Sequence, residues 1–134
     1  MNEPSIFTKI IRGEIPCHKI YEDDKTLAFL DIHPVAEGHT LVIPKTEVEF
    51  LWDLSDEDYQ AVMATAKKVA LHLRKVVGKP YVGEMVVGTD VPHAHVHIVP
   101  FTVPSELKRT LNAMEDTPVD HTALAKLAEK LRFS

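Results

Sequence analysis

The chain has 134 residues, 45% of them hydrophobic and 26% charged, which is the size and balance of one ordinary domain able to bury a core. A formal net charge of −5 argues against nucleic acid or an anionic membrane as the main partner, although local donors can hold a single phosphate whatever the total. The single cysteine, Cys17, rules out an intrachain disulfide, and neither a signal peptide nor a run of roughly 18 apolar residues is visible, so a cytoplasmic protein is expected.

Ser5 is a candidate N-cap for a short helix that carries Ile6, Phe7, Ile10 and Ile11 at helical spacing and closes at Gly13 and Pro16. Two strands follow, "HKIYEDD" and "TLAFLDI", joined by a turn at Asp23, Asp24 and Lys25. Alternation in the second sends Leu27, Phe29 and Asp31 to one face and Ala28, Leu30 and Ile32 to the other. "HPVAEGH" reads as a loop, and "HTLVIPK" as a third strand stopped by Pro44. Ser55 opens the clearest helix, 56–77, with Asp56, Glu57 and Asp58 in the first turn where they favour the helix dipole. Its apolar stripe runs through Tyr59, Val62, Met63, Ala66, Val69, Ala70, Leu73, Val76 and Val77, and Gly78 and Pro80 end it.

"YVGEMVVG" and "HAHVHIVPF" are two more strands with few residues between them, so they are expected to pair as an antiparallel hairpin. The tail holds Pro104, a short "ELKRTLNAM" segment, Pro118 and a helix from about Asp120 in which Leu124, Leu127 and Leu131 recur. The order of elements predicts an α+β fold: a mostly antiparallel five-stranded sheet, one long helix, and short N- and C-terminal helices. One domain is expected over 1–134, with a core at about 5–100 and a C-terminal extension at 104–134 that either closes one end of a pocket or caps the fold.

On a strand, residues two apart share a face and sit roughly 6.6 Å from each other. His93, His95 and His97 therefore line one face, while Ala94, Val96 and Ile98 on the other explain themselves as core. A lone histidine is ordinarily a satisfied surface or core residue, but three in this register add nothing to packing. Two chemistries use such a row. Three neutral imidazoles and a water make a catalytic zinc site. Alternatively, one imidazole nitrogen attacks phosphorus while its neighbours fix its tautomer and meet the phosphate oxygens or the leaving group.

The segment "HAHVHIVP" resembles the His-φ-His-φ-His-φ-φ signature (φ apolar) of the histidine triad, or HIT, family of nucleotide hydrolases and transferases. "SIFTKIIRGEIP", "FLDIHP", "GHTLVIPK" and "EMVV" follow the family's order, so the resemblance runs from about Ser5 to Pro100. The chain is similar to the Hint-type branch of purine nucleoside phosphoramidases, and to its compact bacterial members in particular. The resemblance implies a HIT-like fold. It also implies cleavage of a nucleoside phosphoramidate, or a related nucleotide linkage, through a nucleotidyl-histidine. His95 would be the nucleophile, His97 would contact the phosphate and help the leaving group, and His93 and His39 would orient and polarise the row. Asp31 would accept the ribose hydroxyls, and Ile6, Phe7, Phe29, Ile32 and Leu41 would form the purine slot. Apart from the resemblance, the backbone N–H groups of the short loop from Gly88 and Thr89 to Val91 are expected to meet the phosphate as an anion-binding nest. The implied partner is an AMP- or GMP-like purine nucleotide, no cofactor is implied, and a homodimer with a continuous sheet is expected, with helix 56–77 as a suitable interface element. His18, His33, His72 and His121 match no family position and are expected in solvent.

The chain departs from the family in two places. Some relatives hold a structural zinc with an N-terminal Cys-x-x-Cys and further histidines. Here those cysteine positions are Ser5 and Thr8, and "VIPK" is followed by Thr46 and Glu47 instead of a histidine, so that zinc site is expected to be absent. Hint-type members often read Val-Val-Asn and then a Gly-rich loop. Here Gly88 replaces the asparagine, the loop is shorter, and Asp90 brings a negative charge close to a bound phosphate. Two rival readings follow, a purine-nucleotide-binding module with little activity and a zinc enzyme built on His93, His95 and His97.

Overall fold

A computed structural model describes residues 3–109 and 118–133. Turn chemistry starts the sheet. The Asp23 carboxylate accepts from the Lys25 and Thr26 amides at 2.9 and 2.8 Å, reversing the chain between β1 (Lys19–Glu22) and β2 (Thr26–Leu30). With β3 (Thr40–Pro44), β4 (Tyr81–Met85) and β5 (Val96–Phe101), the sheet has the order β1-β2-β3-β5-β4, and every pair is antiparallel.

The expected strands overrun the observed ones, and the differences in β2, β4 and β5 bear on the site. β2 stops at Leu30 because Asp31 Oδ1 accepts from the His33 amide at 2.8 Å and turns the chain. β4 and β5 do pair, but over a longer link than expected, since pairing ends at Met85 opposite His97. β5 begins only at Val96. The His93 amide donates to the Val91 carbonyl at 2.8 Å and the Ala94 amide to the Val48 carbonyl at 2.7 Å, so His93 and His95 lie in a bend leading into the strand.

The two sheet faces are filled differently. On one, α2 (Asp56–Val77) buries Val62, Ala66, Val69 and Leu73 against Ala28, Leu30, Val42, Val96 and Ile98. Each buried valine or leucine among these contributes about 1.5–3 kcal/mol, so packing holds this helix more than its caps do. The caps still fix its ends: Ser55 Oγ accepts from the Asp58 amide at 3.1 Å, and Gly78 leaves the helix at φ 78°. The apolar stripe is thus used on the chain's own sheet. α3 (His121–Leu131), capped by Asp120, adds Leu124, Ala128 and Leu131 to the same core, so the C-terminal helix caps the face away from the histidines. The "ELKRTLNAM" segment begins within a 3₁₀ turn at Pro104–Arg109, and its residues 110–114 lie outside the described residues.

On the opposite face α1 (Ile6–Ile11) lays Phe7 over Leu27, Phe29, Leu41 and Ile43. Of the histidines expected in solvent, His121 is exposed, while His18 and His33 are half-buried, and His18 pairs with His121 at 2.9 Å. His72 is a correction: its Nε2–H donates to the Leu131 carbonyl at 2.6 Å and its ring stacks on Phe133, because this position faces the end of α3. Among the described residues no helix is long and apolar enough to cross a membrane.

Candidate active site

Strand register assembles the site. Phe29 stands opposite Leu41, and Leu41 opposite His97, which sets the three side by side on the α1 face. His39 lies two residues before Leu41 and shares that face. Its Nε2 meets His97 Nδ1 at 3.0 Å. His39, His93, His95 and His97 are all buried, and the His95 and His97 rings stand 5.2 Å apart between centroids.

Fixed backbone partners determine where each imidazole carries its proton. The Val35 amide donates to His39 Nδ1 at 3.2 Å, so Nδ1 is an acceptor and the His39 proton sits on Nε2. That N–H donates to His97 Nδ1, which places the His97 proton on its own Nε2. His95 Nδ1 lies 2.7 Å from the His93 carbonyl, which can only accept. In neutral His95 the proton is therefore on Nδ1, and Nε2 carries the lone pair. His93 Nε2–H donates to the Pro44 carbonyl at 2.9 Å, leaving His93 Nδ1 as an acceptor. Two neighbouring rings thus offer complementary atoms, a bare Nε2 on His95 and an N–H at Nε2 on His97.

Burial disfavours the charged form of His39, His93 and His97. Loss of hydration holds His39 and His97 down to about 4, with His39 adding to the effect on His97, and His93 is lowered by the same cause. Burial pushes the Asp31 carboxyl up, opposed by the His33 amide, and its Oδ2 lies 3.5 Å from His39 Nε2. The charges of Asp31 and Asp90 raise His97 against the larger effect of burial.

The other expected residues divide into two groups. Phe7, Phe29 and Leu41 are buried together, and Phe7 meets His95 edge-on with centroids 5.2 Å apart, so these three brace the histidines as core. Ile6 and Ile32 are 48% and 43% exposed and offer apolar surface. Gly88 takes φ 80°, and no described hydrogen bond ties it or Thr89 to the histidines. Thr89 Oγ1–H reaches Asp90 Oδ1 at 3.5 Å.

His93, His95 and His97 do not form a tridentate zinc set, because both His93 ring nitrogens and His95 Nδ1 are held by protein partners. Among the described residues, the group whose ligand atoms lie close enough to share a cation is Asp31, His39 and His97, all within 4.8 Å of one another. The positions that hold a structural zinc in some relatives carry other chemistry here. Ser5 Oγ meets His93 Nδ1 at 2.8 Å, and Glu47 Oε1 accepts from both the Ser5 amide and Thr8 Oγ1–H at 2.6 Å. Two hydroxyls, a carboxylate and an already bonded imidazole do not match the thiolate and imidazole donors of a structural zinc. Glu47 has no part in the site expected from sequence, where it is only a carboxylate after "VIPK" in place of a histidine.

The comparisons with known proteins bear on the family and the fold. A family model described as HIT domain matches residues 12–102. The chain is 43% identical to the Bacillus subtilis protein hit over 104 residues, covering 73% of this chain and 71% of that protein. It is 39% identical over 100 residues to the adenosine 5'-monophosphoramidase of Schizosaccharomyces pombe, covering 71% and 72% of the two chains. The crystal structure of a Hit-like protein involved in cell-cycle regulation from Bartonella henselae superposes with a TM-score of 0.80 at 35% identity, covering 98% of this chain and 96% of that one. A histidine row on an antiparallel α+β sheet, matched in sequence and in structure over most of the chain, places this protein in the HIT family.

Proposed function

We propose that the protein is a nucleotide-binding hydrolase that cleaves purine nucleoside phosphoramidates or related nucleotide linkages through His95. The observation that carries the reading is the proton arrangement: His95 Nδ1–H on the His93 carbonyl leaves Nε2 free to attack, and the neighbouring His97 presents an N–H. His95 Nε2 bonds to the α-phosphorus as the phosphorus–nitrogen bond breaks, and the departing amine takes the proton from His97 Nε2. Water then cleaves the nucleotidyl-histidine, its hydroxyl ending on phosphorus and its proton returning to His97 Nε2. In balance, one water is consumed, the free amine and the nucleotide are released, and His95 and His97 are both restored. Asp31 takes the ribose hydroxyls through the carboxylate lone pairs left after its bond to the His33 amide, and Ile6 and Ile32 flank the purine with their exposed apolar surface. The Schizosaccharomyces pombe relative, named for the same class of reaction, supports this assignment.

The test uses an amine-linked AMP. Quenched mixtures analysed by mass spectrometry should show a nucleotide on His95. His95→Ala should release no AMP yet still bind it, because the variant lacks the attacking atom and keeps the base and sugar contacts. Undiminished turnover in the variant refutes the reading, and AMP binding with neither release nor adduct in the wild type favours a binding module instead. A homodimer belongs to the same reading. β4 is a terminal strand of the sheet, with Tyr81 56% exposed, and is suited to continue the sheet into a second chain. Sedimentation at micromolar concentration should give twice the chain mass, and a monomer there refutes the pairing.

A further inference from the structure

We propose that Glu47 is a positioning residue for the reaction at His95, acting through Ser5 and Thr8 on the His93 ring. The proposal rests on the hydrolase reading above and adds a part built from hydrogen bonds where some relatives hold a structural metal. Glu47 follows β3, while Ser5 and Thr8 stand at the first turn of α1, so the carboxylate ties the start of the helix to the sheet. The proton order along the chain is fixed at both ends. A carboxylate can only accept, so the Thr8 hydroxyl donates to Glu47. The Pro44 carbonyl can only accept as well, so His93 holds its proton on Nε2 and its Nδ1 must receive one. Ser5 Oγ, which accepts from the Thr8 amide at 3.0 Å, supplies that hydrogen at 2.8 Å.

With Glu47 absent this order is lost. The Thr8 hydroxyl is freed to turn toward Ser5 Oγ at 3.2 Å or His93 Nδ1 at 3.3 Å, and the Ser5 amide loses its acceptor. The His93 ring then has two competing donors and a less constrained helix start beside it. His93 is also the residue whose carbonyl holds His95 Nδ1–H, so its placement bears on where the His95 lone pair is delivered. A zinc ion in a relative would crosslink the same segments through thiolates and imidazoles. Here a carboxylate and two hydroxyls do so through directional hydrogen bonds.

The experiment compares wild type, Glu47→Ala and Glu47→Gln. Two readouts are used: steady-state kinetics on amine-linked AMP, and nitrogen-15 spectra of the histidine rings. Glutamine keeps an acceptor oxygen and should stay within about twofold of wild type, whereas alanine should lower kcat by roughly tenfold with KM unchanged, the scale expected of a partner that orients an active imidazole. The His93 Nδ1 resonance should move in the alanine variant and hold in the glutamine one. Dialysis against a chelator should leave kcat and thermal midpoint as they were. An alanine variant with wild-type kcat and an unmoved His93 Nδ1 overturns the proposal, as does loss of kcat on chelation with about one zinc per chain in the untreated protein. The nitrogen readout needs no turnover. A wild type that fails to hydrolyse the substrate while His93 still responds to Glu47 therefore counts against the reaction and not against the hydrogen-bond chain.

Discussion

His39→Ala isolates the proton arrangement from the attacking atom. His39 Nε2–H is the donor that holds His97 Nδ1 as an acceptor at 3.0 Å, in a position where both rings are buried. In the wild type the other His97 tautomer would set two N–H groups against each other and remove the N–H offered at Nε2. Leaving a buried acceptor without its donor costs about 1–3 kcal/mol. If that same energy is what keeps His97 ready to donate, its loss lowers kcat by about 5- to 150-fold. The loss is then clearly short of the abolition expected for His95→Ala, which removes the nucleophile itself. Steady-state kcat and KM on amine-linked AMP, with nitrogen-15 spectra of His97, measure both consequences. An unchanged kcat with an unchanged His97 spectrum refutes the relay. A loss as complete as that of His95→Ala would mean that His39 does more than set a tautomer.

Stability should depend on pH through the same rings. His39 and His97 are held at about 4 in the folded protein against about 6.5 in the unfolded chain, so between those values the unfolded chain binds more protons. Their contribution is complete above pH 6.5 and is lost as pH falls toward 4. It amounts to about 3 kcal/mol for either ring taken alone, and to less than twice that for the coupled pair. His93 shifts the same way, and Asp31, pushed up by burial, opposes it. Denaturant midpoints at pH 7 and pH 5 measure the effect, and equal midpoints would show that the rings are not held neutral. Gly38→Ala should destabilise more than Gly13→Ala. Both positions have positive φ, but a Cβ at Gly38 would meet Val77 Cγ2 at 3.1 Å and Pro100 Cγ at 3.2 Å, while one at Gly13 meets nothing within 4 Å. The shared backbone strain costs about 1–2 kcal/mol, and crowding adds roughly 1 kcal/mol or more at Gly38 alone. Equal thermal midpoints for the two variants would count against that crowding.

The elements that were legible in sequence are those set by local chemistry. Ser55 and its acidic first turn mark where α2 begins, and the alternation in β2 separates Leu27 and Phe29 from Ala28 and Leu30 on the two faces, because side-chain direction follows from backbone period alone. The histidine row was legible as a spacing of residue types, although His93 and His95 precede β5 and are placed by the bend that leads into it. Strand ends were not, since Asp31 and His93 leave the ladder through hydrogen bonds that compete with pairing. His72 was misplaced because its partner, Leu131, belongs to a helix at the far end of the chain.

Sequence by itself determined which residue types stand in the row and that their alternate neighbours are core. Tertiary structure alone decided which ring nitrogen holds each proton. That choice depends on the Val35 amide, on the His93 and Pro44 carbonyls, and on partners 58 and 39 positions apart in the pairs His39–His97 and Thr8–Glu47. A neutral imidazole has two nearly equivalent sites for its proton, and only a donor or acceptor brought within about 3 Å by the fold distinguishes them.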